Sequence, residues 1–203
     1  MTSFASLSLQ AYLDKLASDA PVPGGGSVSA YVASLGMGLS QMVARITLGR
    51  KKKAGLSAQE EQKEDERRAT IQKVLDSLEK TKIDAFQIVD LDPKIYQEVM
   101  SASGDEARME DALNNSFRLQ ADLALLIVMA REWNAVLASR VKGSIANDLL
   151  VAASLYEAAF HGAYHTAMIN VKYMKNEGRK LQAEKALGDL KARYEEGDAH
   201  VRH

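Results

Sequence analysis

A chain of 203 residues with 26 basic and 27 acidic side chains carries a net charge of −1, so it shows neither a nucleic-acid footprint nor an acidic tail. It has no cysteine, which excludes disulfides, thiolate nucleophiles and cysteine zinc sites together. Three prolines, none after Pro93, and abundant Ala, Leu, Lys and Glu favour long helices over sheet, with length enough for a substantial core in one domain covering 1–203. Met1-Thr2-Ser3-Phe4 has no charged region followed by an apolar one, so the cytoplasm is the expected location.

In chain order, Leu7, Leu9, Tyr12, Leu13 and Leu16 predict a short amphipathic helix within 7–18. From Ala20 to Ala44 no charged residue or histidine occurs, which marks a segment built for burial. Its entry, Pro21-Val22-Pro23-Gly24-Gly25-Gly26-Ser27, reads as a loop feeding a helix over 27–48 with Ser27 as its cap. Such a junction offers free N–H groups and the positive end of a helix dipole to a carboxylate, phosphate or ring carbonyl; the bland alternative is a tight turn whose glycines only permit close packing. Gly26, Ala30, Ser34 and Gly38 form a small-residue stripe along which another helix can approach. The stretch is long enough to span a membrane, but its prolines, five glycines and nearby Arg45 exclude that reading.

Gly49 ends this helix and Arg50-Lys51-Lys52-Lys53 follows, either complementing the dipole or holding a polyanionic tail. Ser57-Ala58-Gln59-Glu60 has capping-box form and opens a helix over 57–90, whose inward face includes Ile71, Leu78, Ala85 and Val89. Asp92-Pro93 predicts a stop and a short new helix over 94–100, with Asp92 as its cap. A long helix is expected over 106–141, broken by Lys142-Gly143-Ser144. A second apolar helix is expected over 146–175, with Glu157 its only charge between Leu149 and Val171, and a charged helix over 179–196 closes the chain. The sum is an all-α, up-and-down helical bundle with two buried apolar helices.

Glu157, His161 and His165 stand at four-residue steps on one helix face, a possible carboxylate–imidazole metal set. The motif lacks the rest of a metalloprotease signature, so the expectation is histidines hydrogen-bonded in the core or a dimer interface, with no metal assigned. His200 and His203 near the C-terminus add nothing to it.

Pro23-Gly24-Gly25-Gly26-Ser27, Met42-Val43-Ala44-Arg45 and Thr47-Leu48-Gly49-Arg50-Lys51-Lys52 resemble the N-terminal motif of the formiminotetrahydrofolate cyclodeaminase and methenyltetrahydrofolate cyclohydrolase family. Ala146-Asn147-Asp148, Ala152-Ala153 and Ile169-Asn170 are similar to its second signature. The resemblance implies an all-helical homodimer that takes a tetrahydrofolate derivative and needs no cofactor beyond that substrate. The implied chemistry is ring closure of a formimino group with loss of ammonia, or hydration of the methenyl cation to a formyl group. It further implies that Gly24, Gly25, Gly26, Ser27 and Asn170 contact the ligand, that Lys51 and Lys52 suit its glutamate tail, and that Asp148 is an acid of the site. One departure concerns the family's Asp-x-x-Ala-Phe segment, whose place Lys82-Ile83-Asp84-Ala85-Phe86 takes with a lysine where the acid is expected. Glu79, one turn back, is the substitute on nearly the same face, so Glu79 or Lys82 with Asp148 are the proton-handling candidates. The alternative function is a folate- or ligand-binding paralogue that kept the fold without turnover.

Overall fold

The uncharged stretch forms the helix its composition asks for, and the rest of the chain is wound round it. The computed structural model describes residues 3–201, with side chains to 196; His203 and the side chain of His200 fall outside the described residues. Every regular element described is helical: α1 (Leu9–Leu16), α2 (Gly25–Gly49), α3 (Ala58–Ser101), α4 (Glu106–Ala138), α5 (Asn147–Tyr173) and α6 (Glu177–Val201), with single 3-10 turns at Phe4–Ser6 and Ser144–Ala146.

Helices α2 to α5 form an up-and-down ring. Near its start α2 meets the far half of α3, through Ser27 and Val89, while near its end Gln41 reaches Leu78 and Arg68 reaches Leu48. It runs antiparallel to α5 too: Gly25 lies by Thr166, Gly162 by Ser29, and Gly36 by Ala152 and Tyr156. The core between them holds Met37, Ile71, Leu78, Leu123, Ile127, Leu149, Tyr156 and Phe160. A smaller cluster around Phe117, Val171 and Leu187 seats α6. Buried Arg131 lies over the Tyr194 ring, 4.3 Å from its centroid, and donates to the Tyr194 carbonyl.

Close approach of α2 and α5 depends on small residues, but along a stripe other than the expected one. A Cβ at Gly36 would sit 2.9 Å from Tyr156, whereas nothing lies within 4 Å of a Cβ at Gly38. Neither apolar helix is buried all round, because each member of a four-helix ring keeps an outward face. Leu35 and Ile46 of α2 are 50% and 43% exposed, and Leu150 of α5 is 62% exposed. No helix among the described residues is long and apolar enough to cross a membrane.

Two local expectations are corrected. Helix α2 starts at Gly25, so Ser27 lies inside its first turn instead of capping it. And Pro93 neither ends α3 nor starts another helix: α3 runs unbroken from Ala58 to Ser101 with Pro93 buried inside it. A proline there has no N–H for the carbonyl four residues back, that of Val89. The Ser27 hydroxyl supplies the missing donor at 2.9 Å. A local rule that predicts a break is thus overridden by a hydrogen bond from another helix.

The capping box is present, with Ser57 N donating to Glu60 Oε2 at 2.9 Å and Ser57 Oγ accepting from Glu60 N. At the other end of α2 the carbonyls of Leu48 and Arg50 are answered by Arg68 of α3, not by the lysines that follow.

Ser27→Ala leaves the Val89 carbonyl without its donor, and a buried orphan of this kind costs about 1–3 kcal/mol. Adding Pro93→Ala returns a backbone N–H to that carbonyl. A double-mutant cycle by thermal melting is therefore expected to show Ser27→Ala costing clearly less in the Pro93→Ala background; additive effects would contradict this account of the proline.

Candidate active site

The glycine-rich turn earns its glycines at one place above all. A Cβ on Gly26 would come within 2.2 Å of both Asp92 Oδ1 and Gln120 Nε2, so only glycine lets α2 start against these two side chains. Asp92 comes from α3 and Gln120 from α4, which makes this the point where three helices converge. Asp92 Oδ2 accepts from the Ser27 amide at 3.0 Å and Oδ1 from Gln120 Nε2 at 2.8 Å. Tyr12 of α1 closes the group, its hydroxyl 3.0 Å from Ser27 Oγ and its ring stacked on Tyr31 at 5.1 Å. Asp92 thus serves as cap to α2 from outside, not to a helix of its own.

Burial pushes the Asp92 carboxyl above the usual carboxylate range, although the Ser27 amide and Gln120 oppose the rise by favouring the anion. Burial likewise raises the Tyr12 phenol. The result is an acid held near the positive end of a helix dipole, able to carry a proton at higher pH than an exposed aspartate does.

The expected site residues fall into three groups along α2. Gly24, Gly25, Gly26 and Ser27 stand at its start with Asp92, and Asn170 is nearby on α5, its amide donating to the Thr166 carbonyl at 2.8 Å. Midway, Lys82 Nζ donates to Gln41 Oε1 at 3.2 Å, and Glu79 is paired with Arg45. Lys82 also edges an open apolar groove of about 510 Å³ that includes Tyr31, Leu35, Ile83 and Phe86. At the far end lie Lys51, Lys52 and Asp148, the last in the first turn of α5. Twenty helical residues from Ser27 to Thr47 span about 30 Å, so within one chain Asp148 and the glycine-rich turn do not meet.

The far end is a basic cleft of about 460 Å³ lined by Arg50, Lys51, Lys52, Lys53, Lys63 and Lys142 among others. Thr47 is 3% exposed at its floor and its hydroxyl has no hydrogen-bond partner. Lys52 is paired with Asp65, and Arg67 with Glu64 at 2.7 Å.

Glu157, His161 and His165 line up on the open side of α5, and the two imidazole centroids are 6.5 Å apart. No group of three or more His, Cys, Asp or Glu among the described residues is arranged to hold a metal.

Asp92, a helix cap by its place before Pro93 in the sequence, is instead the buried acid at the start of α2. A signal for it exists: Asp92-Pro93-Lys94-Ile95-Tyr96 places an acid four residues before an aromatic ring, the same spacing sought ten residues earlier at Lys82 and Phe86.

An antiparallel helical ring with a desolvated acid set against a glycine-opened helix start defines the class: an all-α protein with a buried carboxyl where three of its helices converge. Residues 8–189 match the family profile described as formiminotransferase-cyclodeaminase, and the chain belongs to that family. It is 26% identical over 193 residues to formimidoyltransferase-cyclodeaminase of Sus scrofa, covering 90% of this chain and 34% of that one. For the Gallus gallus protein of the same name the figures are 28% over 206 residues, 95% and 36%. The chain thus spans about a third of the length of these curated relatives. A 44-residue stretch, 22% of the chain and 21% of the other protein, is 46% identical to methenyltetrahydrofolate cyclohydrolase of Methylorubrum extorquens. The fold is shared with the crystal structure of formiminotetrahydrofolate cyclodeaminase from Thermotoga maritima, at a TM-score of 0.85, 24% identity and coverage of 97% and 94% of the two chains.

The raised Asp92 acid sets a stability test. Its folded pKa lies above the unfolded value, so its contribution is fully present below the unfolded pKa and is eroded as pH rises through the folded one. Asp92→Asn keeps both hydrogen bonds once the Gln120 amide turns, and removes the buried charge. The variant is expected to melt at or above the wild-type temperature near pH 7.5, with the difference vanishing near pH 4; a lower melting temperature at pH 7.5 would contradict the desolvation account.

Proposed function

We propose that this chain acts on the one-carbon unit of a tetrahydrofolate derivative, by formimino cyclodeamination or methenyl hydrolysis. The observation that carries the reading is the Asp92 carboxyl, desolvated and held at the glycine-opened start of α2. In hydrolysis, water adds to the methenyl carbon and gives up a proton, which Asp92 accepts. The carbon–nitrogen bond then breaks as that proton passes to the leaving ring nitrogen, and the carbinol O–H releases its own proton to solvent as the formyl carbonyl forms. In cyclodeamination the neighbouring bridging amine attacks the formimino carbon, its own proton passes to the imino nitrogen, and ammonia leaves with a second proton from the acid. Ionised, Asp92 also faces the methenyl cation with negative charge, so one group serves both steps. The non-catalytic paralogue, with Lys82 where the family carries an acid, is the less favoured reading beside the family match, and Asp92 is the acid offered in place of the missing one.

The pterin end is assigned to the glycine-rich turn with Asn170, and the glutamate tail to the basic cleft with Lys51 and Lys52. Because these ends are about 30 Å apart on one chain, the reading includes a homodimer. Two chains packed antiparallel through the open stripe Leu35, Gly38, Met42 and Ile46 bring the cleft of one, with Asp148, beside the glycine-rich turn of the other. The clear space over Gly38 suits such a contact.

The test is the absorbance decay of methenyltetrahydrofolate. Wild-type protein is expected to accelerate it, Asp92→Asn to lose about 10²–10⁴-fold in kcat, and Lys82→Ala to stay within a few-fold. No acceleration by the wild type with either methenyl or formimino substrate would overturn the reading. Asp148→Ala in the same assay separates its roles: a kcat loss places it at the reacting carbon, a KM rise alone at the tail.

A second expectation concerns the cleft. Lys51→Ala should raise KM several-fold for a pentaglutamate substrate and leave the monoglutamate KM unchanged, and the pentaglutamate effect should shrink as salt rises. Equal changes for the two substrates would remove the cleft from tail binding.

A further inference from the structure

Gln120, in the middle of α4, is fully buried at 0% exposure. Its Nε2 donates to Asp92 Oδ1 at 2.8 Å, while its Oε1 is buried without a hydrogen-bond partner. Buried amides ordinarily use both ends. The other fully buried glutamine, Gln41, does so: Nε2 donates to the Leu78 carbonyl at 3.0 Å and Oε1 accepts from Lys82 Nζ at 3.2 Å. Turning Gln41 end for end would break both contacts, whereas turning Gln120 sacrifices nothing at Oε1. Gly26 supplies the room, since a Cβ there would fill the space around the Gln120–Asp92 contact.

We propose that Gln120 is the positioning residue of Asp92 and follows its protonation state. With the carboxylate ionised, the amide donates from Nε2 to Oδ1. When Asp92 accepts a proton, the amide turns and Oε1 accepts the new O–H. The Ser27 amide stays on Oδ2 throughout, so the geometry also assigns the proton to Oδ1. Asp92 then keeps one orientation through both halves of a proton-transfer cycle. A fixed donor would support only the anion, and a fixed acceptor only the acid. The inference rests on the reading of Asp92 as the proton-handling group.

The groups facing Asp92 are few. From α4 it is the neutral Gln120; from α2 the Ser27 amide; from α1 the Tyr12 phenol, whose ring stacks on Tyr31; and on α3 itself Asp90, which is turned to Ser3 Oγ at 2.6 Å and the amides of Phe4 and Ala5. Burial raises the Tyr12 phenol still further from the carboxyl range, and Asp90 is the neighbouring carboxyl to assign separately.

The experiment is an NMR titration of the full chain without substrate, following the Asp92 carboxyl carbon and the Gln120 side-chain amide. The Gln120 amide is expected to shift with the Asp92 midpoint in the wild type and to be flat with pH in Asp92→Asn. Gln120→Leu should raise the Asp92 pKa by about one unit, because the anion loses a donor. Gln120→Glu, nearly identical in shape, should raise it further, because two adjacent carboxyls share a proton. The pH profile of methenyltetrahydrofolate hydrolysis should move with the carboxyl midpoint. An Asp92 midpoint that stays put in both variants would overturn the proposal even if activity or melting temperature falls, as would a wild-type Gln120 amide indifferent to pH. Should the wild type lack turnover, the function proposed above fails, and the carboxyl titration still decides the role of Gln120.

Discussion

Two hydrogen bonds from one small residue hold the architecture together at its narrowest point. Ser27 donates its amide to Asp92 and its hydroxyl to the Val89 carbonyl, and its hydroxyl oxygen accepts from the Tyr12 phenol. The first satisfies an orphan donor of the α2 start, the second an orphan acceptor created by Pro93, and the third brings α1 over both. Because each bond answers a group that would otherwise be buried unpaired, the three elements are fixed by mutual need as well as by apolar contact. The crossing of α2 and α3 follows from it, and so does the position of the acid.

The same junction shows how a carboxyl is fitted into a packed interior. The start of α2 must approach α3 and α4 closely enough for Asp92 and Gln120 to touch its first turn, which Gly26 permits. Burial raises the carboxyl while the helix start and Gln120 restrain the rise. An acid fully stabilised as an anion would hold no proton to give, and one left wholly unpaired would stay neutral. At Asp92 burial is the larger influence, with the Ser27 amide and Gln120 opposing it.

Much of this was legible in the residues, and the parts that were not have physical reasons. The absence of charge from Ala20 to Ala44 and the capping box at Ser57 are local signals, and both helices are where they point. Pro93 misled because its effect depends on whether a distant donor reaches the abandoned carbonyl, and Ser27 is 66 residues earlier in the numbering. Asp92 was hidden for the same reason: beside a proline it looks like a cap, and only the tertiary contact with α2 shows which helix it serves. Apolar composition in α2 and α5 announced burial without saying how much of each surface one chain can cover, so the open sides at Leu35 and Leu150 appeared only in the structure. The stripe of Glu157, His161 and His165 had regular spacing, yet regular spacing puts side chains on one face without converging them on a point.

The cleft at the far end of α2 has a wider consequence. Arg68 is committed to the carbonyls of Leu48 and Arg50, and Arg67 to Glu64 and the Arg140 carbonyl, so both are locked into the scaffold. Lys51, Lys63 and Lys142 take part in no ion pair among the described residues, and the fold holds them near one another against their repulsion. An anion that settles among them binds the native chain and not the unfolded one, and stabilises it by mass action. The ionic composition of the medium thereby becomes a thermodynamic variable of folding, with multivalent anions acting as ligands of the native state where chloride acts only as a screen.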